Sequence, residues 1–381
     1  MLLATSILTC VIWIYLITLH GRFWRIGKFM LPASAAGETE TRVVAVVPAR
    51  NEADVIAPSI MSLLQQHGTA LRVVLVDDSS TDGTASIARQ AAEAANCAER
   101  LTIISGLPLP SGWSGKLWAV HQGVQSAARL NPDFILLTDA DIVHAPDNVQ
   151  GLLTQAQSGN YDLVSLMVRL HCKALAERAL IPAFVFFFLM LYPPSWITNP
   201  RRKIAGAAGG CILIRPNALL KAGGIEAIRN EIIDDCALAA RVKRSGGRVW
   251  LGLTPDTRSI RPYNSFSAIG HMISRAAFNQ LRHSKLLLLV AILGLAITYL
   301  APPALLLSGH LVPALLGATG WLLMSICFWP TIRLYRLNPL WTLLLPAIAL
   351  FYMGATLHSA FKFWTGKGGE WKGRVQDPVK S

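Results

Sequence analysis

The sequence predicts an α/β protein with a mostly parallel β-sheet, flanked at both ends by apolar helices that cross a membrane. Two observations support this fold class. Between residues 42 and 265, short runs of β-branched residues alternate with helical stretches, as in a parallel sheet covered by helices. Toward both ends of the chain, long runs contain almost no charged residue, as membrane-spanning helices do.

The composition agrees with this division, because 52% of the 381 residues are hydrophobic and only 15% are charged. The first apolar run has neither a basic n-region nor an A-x-A-like cleavage site before the basic residues that follow it. We therefore expect a retained anchor rather than a cleaved signal peptide. The predicted segments are an N-terminal transmembrane anchor (1–21), a basic juxtamembrane linker (22–41), a folded domain (42–265), a juxtamembrane segment (266–285), about three transmembrane helices (286–361) and a basic tail (362–381).

Basic residues beside the apolar runs predict the orientation in the membrane. Arg22, Arg25 and Lys28 follow the first run, and further basic pairs lie within 282–285 and 333–336. By the positive-inside preference, the folded domain lies in the cytoplasm. A full crossing by the last run would place the basic tail outside, against the same preference, so a full crossing and a re-entrant segment both stay open.

One further apolar run, 181–192, is too short to span a bilayer and ends at Pro193-Pro194. It is either an interfacial or substrate-facing helix, which we favour, or a buried core helix.

The net charge of +13 indicates contact with anionic lipid, because many basic residues flank the apolar runs. A stripe of basic and aromatic residues, typical of nucleic-acid binding, is missing from the sequence. The six cysteines form no C-x-x-C pair and predict neither a disulfide framework nor a zinc site.

Polar residues follow the predicted strands at the points where ligands bind in parallel sheets. Pro48 and Glu52 follow the first strand, and Asp77 and Asp78 follow the second. Two adjacent carboxylates at a buried strand end are costly unless they bind something, whereas the nearby 80–82 segment is expected to cap a helix. The predicted strands are 43–47, 73–76, 102–104, 134–138, 163–168 and 211–214.

Asp139 and Asp141 follow the fourth strand. In an extended conformation, residues two apart point the same way, so both carboxylates can converge on one Mg²⁺ or Mn²⁺ whose other ligands are diphosphate oxygens. The D-x-D spacing is common by chance, and its position at a strand end makes the prediction stronger.

Three other features complete the candidate site. Lys116 closes a glycine turn before a helix, where it either meets an anion or is simply solvated. Gly209 and Gly210 precede the last predicted strand. Asp234 and Asp235 open a helix; we expect Asp234 to cap it and Asp235 to act as a general base with a raised pKa.

These motifs resemble the family-2 glycosyltransferases. The resemblance covers about residues 42–253 and consists of Pro-Ala-Arg-Asn-Glu at 48–52, Val-Asp-Asp-Ser-Ser-Thr-Asp-Gly-Thr at 76–84, Thr-Asp-Ala-Asp at 138–141, the glycine pair and the late acidic pair, in that order. With its membrane ends, the chain is most similar to the hopanoid-biosynthesis-associated members.

The resemblance implies a Rossmann-like sheet of the glycosyltransferase A type, a divalent metal and an inverting single displacement. It implies that Pro48, Glu52, Asp77 and Asp78 hold the nucleoside with Asp139 beside it, that Asp141 with Asp139 binds the metal, and that Asp235 is the catalytic base. We also expect Lys116, Gly209 and Gly210 to contact the donor. The expected donor is a nucleotide sugar with UDP as the carrier, and the expected transfer is of a hexosyl or N-acetylhexosaminyl group to a membrane lipid in the bacterial cytoplasmic membrane.

Two departures from the family pattern are visible. The usual Glu-Asp pair is Asp-Asp at 234–235, and the Gln-x-x-Arg-Trp motif of polymerising members is missing, since 273–278 reads Ile-Ser-Arg-Ala-Ala-Phe. Processive polymer synthesis is therefore disfavoured. The alternatives are transfer to a polyprenyl phosphate, a nucleotidyltransferase, for which a glycine-rich loop after the first strand is missing, and a non-catalytic membrane scaffold with a decayed domain.

Overall fold

A computed structural model of the chain describes residues 1–32, 40–69 and 71–366, and the backbone of 370–371 and 374–375. Parts of the predicted linker (33–39) and most of the predicted basic tail beyond residue 366 lie outside the described residues. The chain divides into a helical unit, Met1–Lys28, Cys172–Ser195 and Pro262–Gly369, and a sheet unit, Phe29–His171, Trp196–Arg261 and Glu370–Ser381. The segment Cys172–Ser195 thus belongs to the helical unit, although the sequence predicted it within the folded domain 42–265.

The sheet unit is built on an eight-stranded sheet. Its strands are β1 Val43–Ala49, β2 Arg72–Asp77, β3 Leu101–Ser105, β4 Phe134–Thr138, β5 Ile142–Val143, β6 Leu163–Arg169, β7 Cys211–Ile214 and β8 Val249–Ser259, and a separate two-stranded pair joins β9 Glu370–Trp371 to β10 Arg374–Val375. Six of the sheet strands coincide with predicted runs, whereas β5 and β8 were not predicted.

The sheet is mostly parallel, as predicted, but it is mixed because two strands are reversed. Its order is β3-β2-β1-β4-β7-β6-β8-β5. Strands β1, β2, β3, β4, β6 and β8 run in one direction, while β7 is antiparallel to β4 and β6 and β5 is antiparallel to β8. Consequently the start of β7 and the start of β5 lie at the same edge as the carboxyl ends of the other six strands.

The α-helices are given in chain order as α1 Leu2–Thr18, α2 Ala53–Leu64, α3 Thr84–Ala94, α4 Gly115–Ala128, α5 Asn148–Ser158, α6 Leu175–Leu191, α7 Pro194–Thr198, α8 Pro216–Lys221, α9 Asp234–Arg244, α10 Phe266–Gln280, α11 Lys285–Leu295, α12 Ala301–Leu306, α13 Leu311–Leu334 and α14 Leu345–Trp364. Short 3₁₀ segments lie at Ile26–Phe29, Ala98–Arg100, Ile225–Ile228 and Pro339–Leu344, and a π-helical turn at Ala296–Leu300 joins α11 to α12.

The core of the sheet unit explains why β1 reads as a continuous apolar run. All seven residues of β1 are buried, because helices cover both faces of a sheet of this kind. Helix α4 lies very close to the sheet at Gly123, where a Cβ would overlap the side chains of Val46 and Val76. Glycine at this position therefore fixes how near α4, which carries Lys116, approaches β1 and β2.

The helical unit holds most of the apolar sequence. Among the described residues, four helical segments are long and apolar enough to cross a membrane: Leu175–Thr198, Lys285–Leu306, Leu311–Leu334 and Pro339–Trp364. The first of these corrects the prediction that the run 181–192 is too short to span. Helix α6 begins at Leu175, upstream of that run, because the side chain of Glu177 accepts hydrogen bonds from the backbone N–H groups of Lys173 and Ala174 at 2.8 Å each.

Helix α1 is a shorter apolar helix of 17 residues, so the predicted N-terminal span stays a prediction. One face of α1 packs within the helical unit through polar side chains. Thr9 Oγ1 donates to Ile297 O at 3.0 Å, and Trp13 Nε1 donates to Thr298 O at 2.9 Å. Both acceptors belong to the π-helical turn. These two bonds hold α1 against that turn within the helical unit.

Candidate active site

The predicted site residues collect at one edge of the sheet. The loops that follow β1, β2, β4 and β8 meet there, together with the residues that precede β7. This edge is the usual ligand-binding edge of an α/β sheet. It carries two groups of acidic residues, which differ in what surrounds them.

The first group is the β2 acidic pair, Asp77 and Asp78. Asp77 Oδ1 accepts a hydrogen bond from Ser80 N at 3.1 Å. The side chain of Asp78 is 2% exposed, and its Oδ2 lies 3.7 Å from Arg50 Nη1, which also donates to Asp78 O at 2.6 Å. The pair is thus held by a backbone N–H group and one guanidinium.

The segment after the β2 acidic pair ties two helices together. Asp82 accepts hydrogen bonds from Ala53 N and Thr84 N, each at 3.0 Å, at the first residues of α2 and α3. Thr84 Oγ1 in turn accepts from Glu52 N at 2.9 Å. The capping role expected for this segment therefore falls to Asp82, and the same bonds position Glu52 at the start of α2.

Asp139 and Asp141 belong to the second group, and their geometry differs from the prediction. They lie in a turn between β4 and β5, where Ile142 N donates to Asp139 O at 3.3 Å, and not in an extended segment. Asp139 Oδ1 lies 3.0 Å from Lys116 Nζ, whereas Asp141 Oδ2 accepts from Ser259 Oγ at 2.5 Å. The two carboxylates therefore have different partners.

Two basic side chains, Lys116 and Arg261, lie among the acidic residues of the second group. Helix α4 begins beside Lys116, with Ser114 Oγ accepting from Leu117 N at 3.3 Å. Lys116 Nζ lies 3.2 Å from Asp234 Oδ2 in addition to its contact with Asp139. The alternative of a simply solvated lysine is wrong. So is the expectation that Asp234 caps α9: its side chain points to Lys116, and the N-cap of α9 has no side-chain hydrogen bond.

Asp235 is held by backbone N–H groups on both oxygens. Its Oδ2 accepts from Gly209 N at 2.8 Å and its Oδ1 accepts from Cys236 N at 2.7 Å. A Cβ on Gly209 would lie 3.4 Å from Asp235 Oδ2 and 3.6 Å from Lys116 Nζ, which is ordinary contact. Glycine at 209 leaves the space beside both charged groups open.

A buried histidine takes part in the hydrogen bonds that hold the backbone at Gly210. The Thr138 hydroxyl donates to Gly210 O at 2.8 Å and lies 3.0 Å from His144 Nε2. His144 Nδ1 lies 3.0 Å from the side-chain amide of Asn148, and burial lowers the pKa of His144 to about 3. The ring is thus neutral and has Nε2 protonated, since Thr138 has already used its own proton.

Burial and like charges perturb the pKa values of the second group. We call Asp139, Asp141, Asp234 and Asp235 the central acidic cluster. Burial, then the charge of Asp234, raises the pKa of Asp235 to about 6. Burial also raises the pKa of Asp139 despite the opposing effect of Lys116. Burial alone would lower the pKa of Lys116, but its attraction to Asp139 and Asp234 outweighs this and raises it.

A partly open cavity connects part of this site. Aliphatic side chains such as Leu137, Ile225 and Leu238 form much of its wall. Five predicted site residues are not part of its lining: Glu52, Asp77, Asp78, Asp141 and Gly210. The lining includes the predicted site residues Pro48, Lys116, Asp139, Gly209 and Asp235, and also Asp234.

The comparison with known families agrees with this geometry. Residues 44–223 match the family model described as Glycosyl transferase family 2. The chain carries a glycosyltransferase family 2 domain. The match includes the strand ends with Pro48, Asp77 and Asp139, but it stops before Asp234 and Asp235. Two contacts link the matched part to this late acidic pair: the bond from Gly209 N to Asp235 and the ion pair of Lys116 with Asp234.

Two relatives illustrate the range of the likeness. The 4,4'-diaponeurosporenoate glycosyltransferase of Staphylococcus aureus (strain MRSA252) is 30% identical over 142 residues, which are 36% of this chain and 35% of the relative. The chain thus matches about a third of that protein. The mannosyltransferase of Pyrobaculum calidifontis, solved with GDP-Man and Mn²⁺, is 18% identical, with a TM-score of 0.58, over 95% of this chain and 99% of its own; this likeness shows a common fold.

Sequence reasoning missed β8, the last strand of the eight-stranded sheet in chain order, and the residues at its end. Ser259 donates to Asp141, and Arg261 pairs with both Glu52 and Asp141 Oδ2, the latter at 3.6 Å. Strand β8 contains Pro255 and Asp256 in its second half, which weakens a strand pattern. The apolar run at its start is the signal that identifies it.

The carboxylates at this edge of the sheet are of the type that a divalent metal takes as ligands. Among the described residues, three or more potential ligand side chains do not gather at one point. The central acidic cluster and Glu52 supply five carboxylates, and ion pairs join all of them except Asp235 to Lys116 or Arg261. Hard oxygen donors in excess of basic groups suit Mg²⁺ or Mn²⁺, which commonly take one or two carboxylates and complete their shell with phosphate oxygens.

Proposed function

We propose that the chain is a membrane-bound, metal-dependent, inverting glycosyltransferase that moves one sugar from a nucleotide-sugar donor to a membrane lipid. The observation that carries the proposal is the position of Asp235. Its carboxylate accepts from Gly209 N at 2.8 Å in the cavity that Lys116 and Asp139 also line. A base of raised pKa beside phosphate-binding groups is what activation of a hydroxyl next to a diphosphate requires.

In this proposal, Pro48, Glu52, Asp77 and Asp78 bind the nucleoside. Strands β1 and β2 are hydrogen-bonded neighbours, with Ala49 in register with Asp77, so their ends form one continuous edge. The hydrogen bonds that fix Asp77 and Glu52 through Ser80 and Thr84 keep this edge rigid before the donor arrives. A rigid edge costs less entropy on binding.

Lys116, Gly209 and Gly210 would lie along the diphosphate and the sugar. Lys116 is the cation of the cavity, and the missing side chain at 209 leaves backbone close to the ligand. The relay from His144 through Thr138 to Gly210 O holds this backbone in place. These contacts position the donor relative to Asp235.

Asp141, with Asp139, would hold the metal. The bound ion would neutralise negative charge that develops on the leaving diphosphate. Ser259 donates to Asp141 Oδ2 and thereby orients this carboxylate, as the outer partners of metal ligands do.

Asp235 would take the proton of the acceptor hydroxyl as that oxygen attacks the anomeric carbon on the face opposite the diphosphate. With a pKa of about 6, the carboxylate is deprotonated at neutral pH and still basic enough to accept a proton. Its two backbone N–H partners fix the orientation of both oxygens.

The apolar segments motivate a lipid acceptor, since four of them are long enough to cross a bilayer. We place the enzyme in the bacterial cytoplasmic membrane as a multi-pass protein that includes α1, with its glycosyltransferase domain on the cytoplasmic side. The acceptor class we favour is a polycyclic triterpenoid alcohol of hopanoid biosynthesis, and a polyprenyl phosphate is the alternative. UDP is the carrier we favour, and GDP is included in the test because the Pyrobaculum calidifontis relative was solved with GDP-Man.

The experiment that tests the proposal is sugar transfer from a panel of radiolabelled UDP- and GDP-sugars into total membrane lipid. Wild type is compared with Asp235→Asn and Asp141→Ala, and Asp256→Asn on the exposed part of β8 is the matched control. We expect labelled lipid with wild type and the control, and none with the other two variants. Analysis of the labelled product identifies donor and acceptor.

Two results would count against parts of the proposal. If the donor is consumed but the label stays in water-soluble products, the lipid acceptor is wrong and the reaction class stands. If no donor is consumed while nucleotide still binds, transfer by this chain alone is wrong, and a non-catalytic scaffold becomes the better description.

A further inference from the structure

Arg261 lies where the proposed nucleoside and metal sites meet. It is the second residue after β8, and its side chain is 29% exposed. The guanidinium pairs with Glu52 through Nη2, and its Nε lies 3.6 Å from Asp141 Oδ2. In the structure, therefore, a resident cation stands beside the carboxylate proposed to bind the metal.

The two basic side chains of the site hold their carboxylates differently. Lys116 Nζ lies at 3.0 Å from Asp139 and 3.2 Å from Asp234, both within hydrogen-bond distance, and its side chain is 22% exposed. The contact of Arg261 with Asp141 is longer than a hydrogen bond, and its close partner is Glu52. Arg261 can therefore leave Asp141 without losing its main ion pair, whereas Lys116 cannot leave its carboxylates so easily.

We propose that Arg261 acts as a displaceable counter-ion: it neutralises Asp141 in the ligand-free enzyme and gives way only when the metal arrives together with a nucleoside diphosphate. This inference rests on the proposed function, because it takes Asp141 as a metal ligand. Arg261 is a positioning residue here, since it acts through Asp141 and Glu52.

The coupling between metal binding and diphosphate binding follows from the charges of these groups. A metal ion alone must compete with the guanidinium for Asp141. A diphosphate compensates for the displacement, because the freed guanidinium gains oxygens that suit its planar set of donors. Metal and diphosphate therefore strengthen each other's binding, and the coupling is the same in both directions. The benefit to the enzyme is that the metal is held mainly when a donor is present.

The test measures Mn²⁺ binding to the full-length protein in detergent, by electron paramagnetic resonance of free Mn²⁺, with and without UDP or GDP. The variants are Arg261→Gln and Arg261→Lys. The matched control is Arg258→Gln, which removes the same charge from an exposed position on β8. The assay needs neither the sugar nor the acceptor.

In wild type we expect weak binding of Mn²⁺ alone and binding about tenfold or more tighter with the diphosphate. Arg261→Gln is expected to bind Mn²⁺ alone about tenfold more tightly than wild type, and the gain from the diphosphate shrinks by a similar factor. Structural damage would not produce tighter metal binding. Arg261→Lys keeps the charge but has a shorter reach, and its affinity for Mn²⁺ alone is expected to rise about threefold. This variant tests the inference if Arg261→Gln does not fold.

Three results would overturn the inference. If wild type binds Mn²⁺ with a diphosphate but neither Arg261 variant binds Mn²⁺ alone more tightly, Arg261 is not a counter-ion and the proposed function stands. If Arg258→Gln gives the same rise, the effect is one of net charge. If wild type binds no Mn²⁺ with either diphosphate, the metal site and this inference both fail.

Discussion

The β2 acidic pair and the central acidic cluster lie at the same edge of one sheet but solve the problem of buried negative charge in different ways. In the β2 acidic pair, Asp77 accepts a hydrogen bond from a backbone N–H group and Asp78 lies beside Arg50, so two carboxylates face one guanidinium. In the central acidic cluster with Glu52, five carboxylates lie near only two basic side chains among the described residues, Lys116 and Arg261, and the excess of negative charge is larger. The first arrangement favours a rigid binding surface, and the second favours a site that a cationic ligand completes.

The largest expected effect tests the catalytic part of this comparison. Asp235→Asn keeps the shape of the side chain but removes the base, so we expect turnover to fall by about 10²–10⁴-fold, the usual contribution of a general base. Asp77→Asn, in the β2 acidic pair, is expected to act mainly on the KM for the donor. The measurement is steady-state kinetics with the donor identified in the transfer assay. Equal losses of kcat in both variants would remove the functional distinction between the two groups.

The second prediction concerns the cation shared by the central acidic cluster. Lys116→Met leaves Asp139 and Asp234 without their close partner, and we expect the free energy of unfolding at about pH 8 to fall by about 3–5 kcal/mol. Because burial already raises the pKa of Asp139 and Asp235, these groups take up protons as the pH falls. The loss is therefore smaller at about pH 5.

Denaturant unfolding followed by tryptophan fluorescence measures this loss. The matched control is Lys221→Met, at an exposed position of α8, where the change is expected to stay within about 0.5 kcal/mol. Added Mn²⁺ should restore part of the stability of Lys116→Met, since it supplies positive charge to the same carboxylates. A loss that is the same at both pH values would mean that the carboxylates do not take up protons when Lys116 is absent.

The third prediction is a pH profile. Burial, then the charge of Asp234, raises the pKa of Asp235 to about 6, and the base works only when it is deprotonated. We therefore expect kcat/KM to rise about tenfold per pH unit below about 6 and to level off above it. In Asp234→Asn the neighbouring negative charge is gone, so the rising limb should move to lower pH. A limb that stays in place in this variant would show that Asp234 does not set the pKa of the base.

Much of the edge could be predicted from the sequence because its signals are local. A carboxylate directly after a buried apolar run marks a strand end, and this placed Asp77, Asp78 and Asp139 correctly at the edge. The order of these short motifs identified the family, which the match over residues 44–223 supports. The six predicted strands exist for the same reason, since burial on both faces leaves a continuous apolar run.

The partners of these residues could not be predicted, because they depend on contacts between distant parts of the chain. Arg261 lies 209 positions from Glu52 in sequence, and Lys116 meets Asp234 only after α4 and α9 have packed. The turn between β4 and β5 was also missed, since the D-x-D spacing says nothing about backbone direction. The reversal of β7 is likewise a property of the whole sheet, and no residue within it marks its orientation.

The smallest expected effect is on stability, where a substitution in the β2 acidic pair and one in the central acidic cluster should act in opposite directions. Asp78→Asn removes the ion pair with Arg50 in a nearly closed environment, so we expect the free energy of unfolding to fall by about 1–3 kcal/mol. Asp235 has a raised pKa, which means that the fold disfavours its charged form. Its effect on stability is therefore favourable at low pH and is lost as the pH rises through about 6. At about pH 8, Asp235→Asn should melt at or above the temperature of wild type while Asp78→Asn melts below it. Thermal melting of wild type and both variants in the same detergent measures these melting temperatures. If both variants melt below wild type by similar amounts, the central acidic cluster is as well neutralised as the β2 acidic pair, and its negative charge no longer argues for a metal.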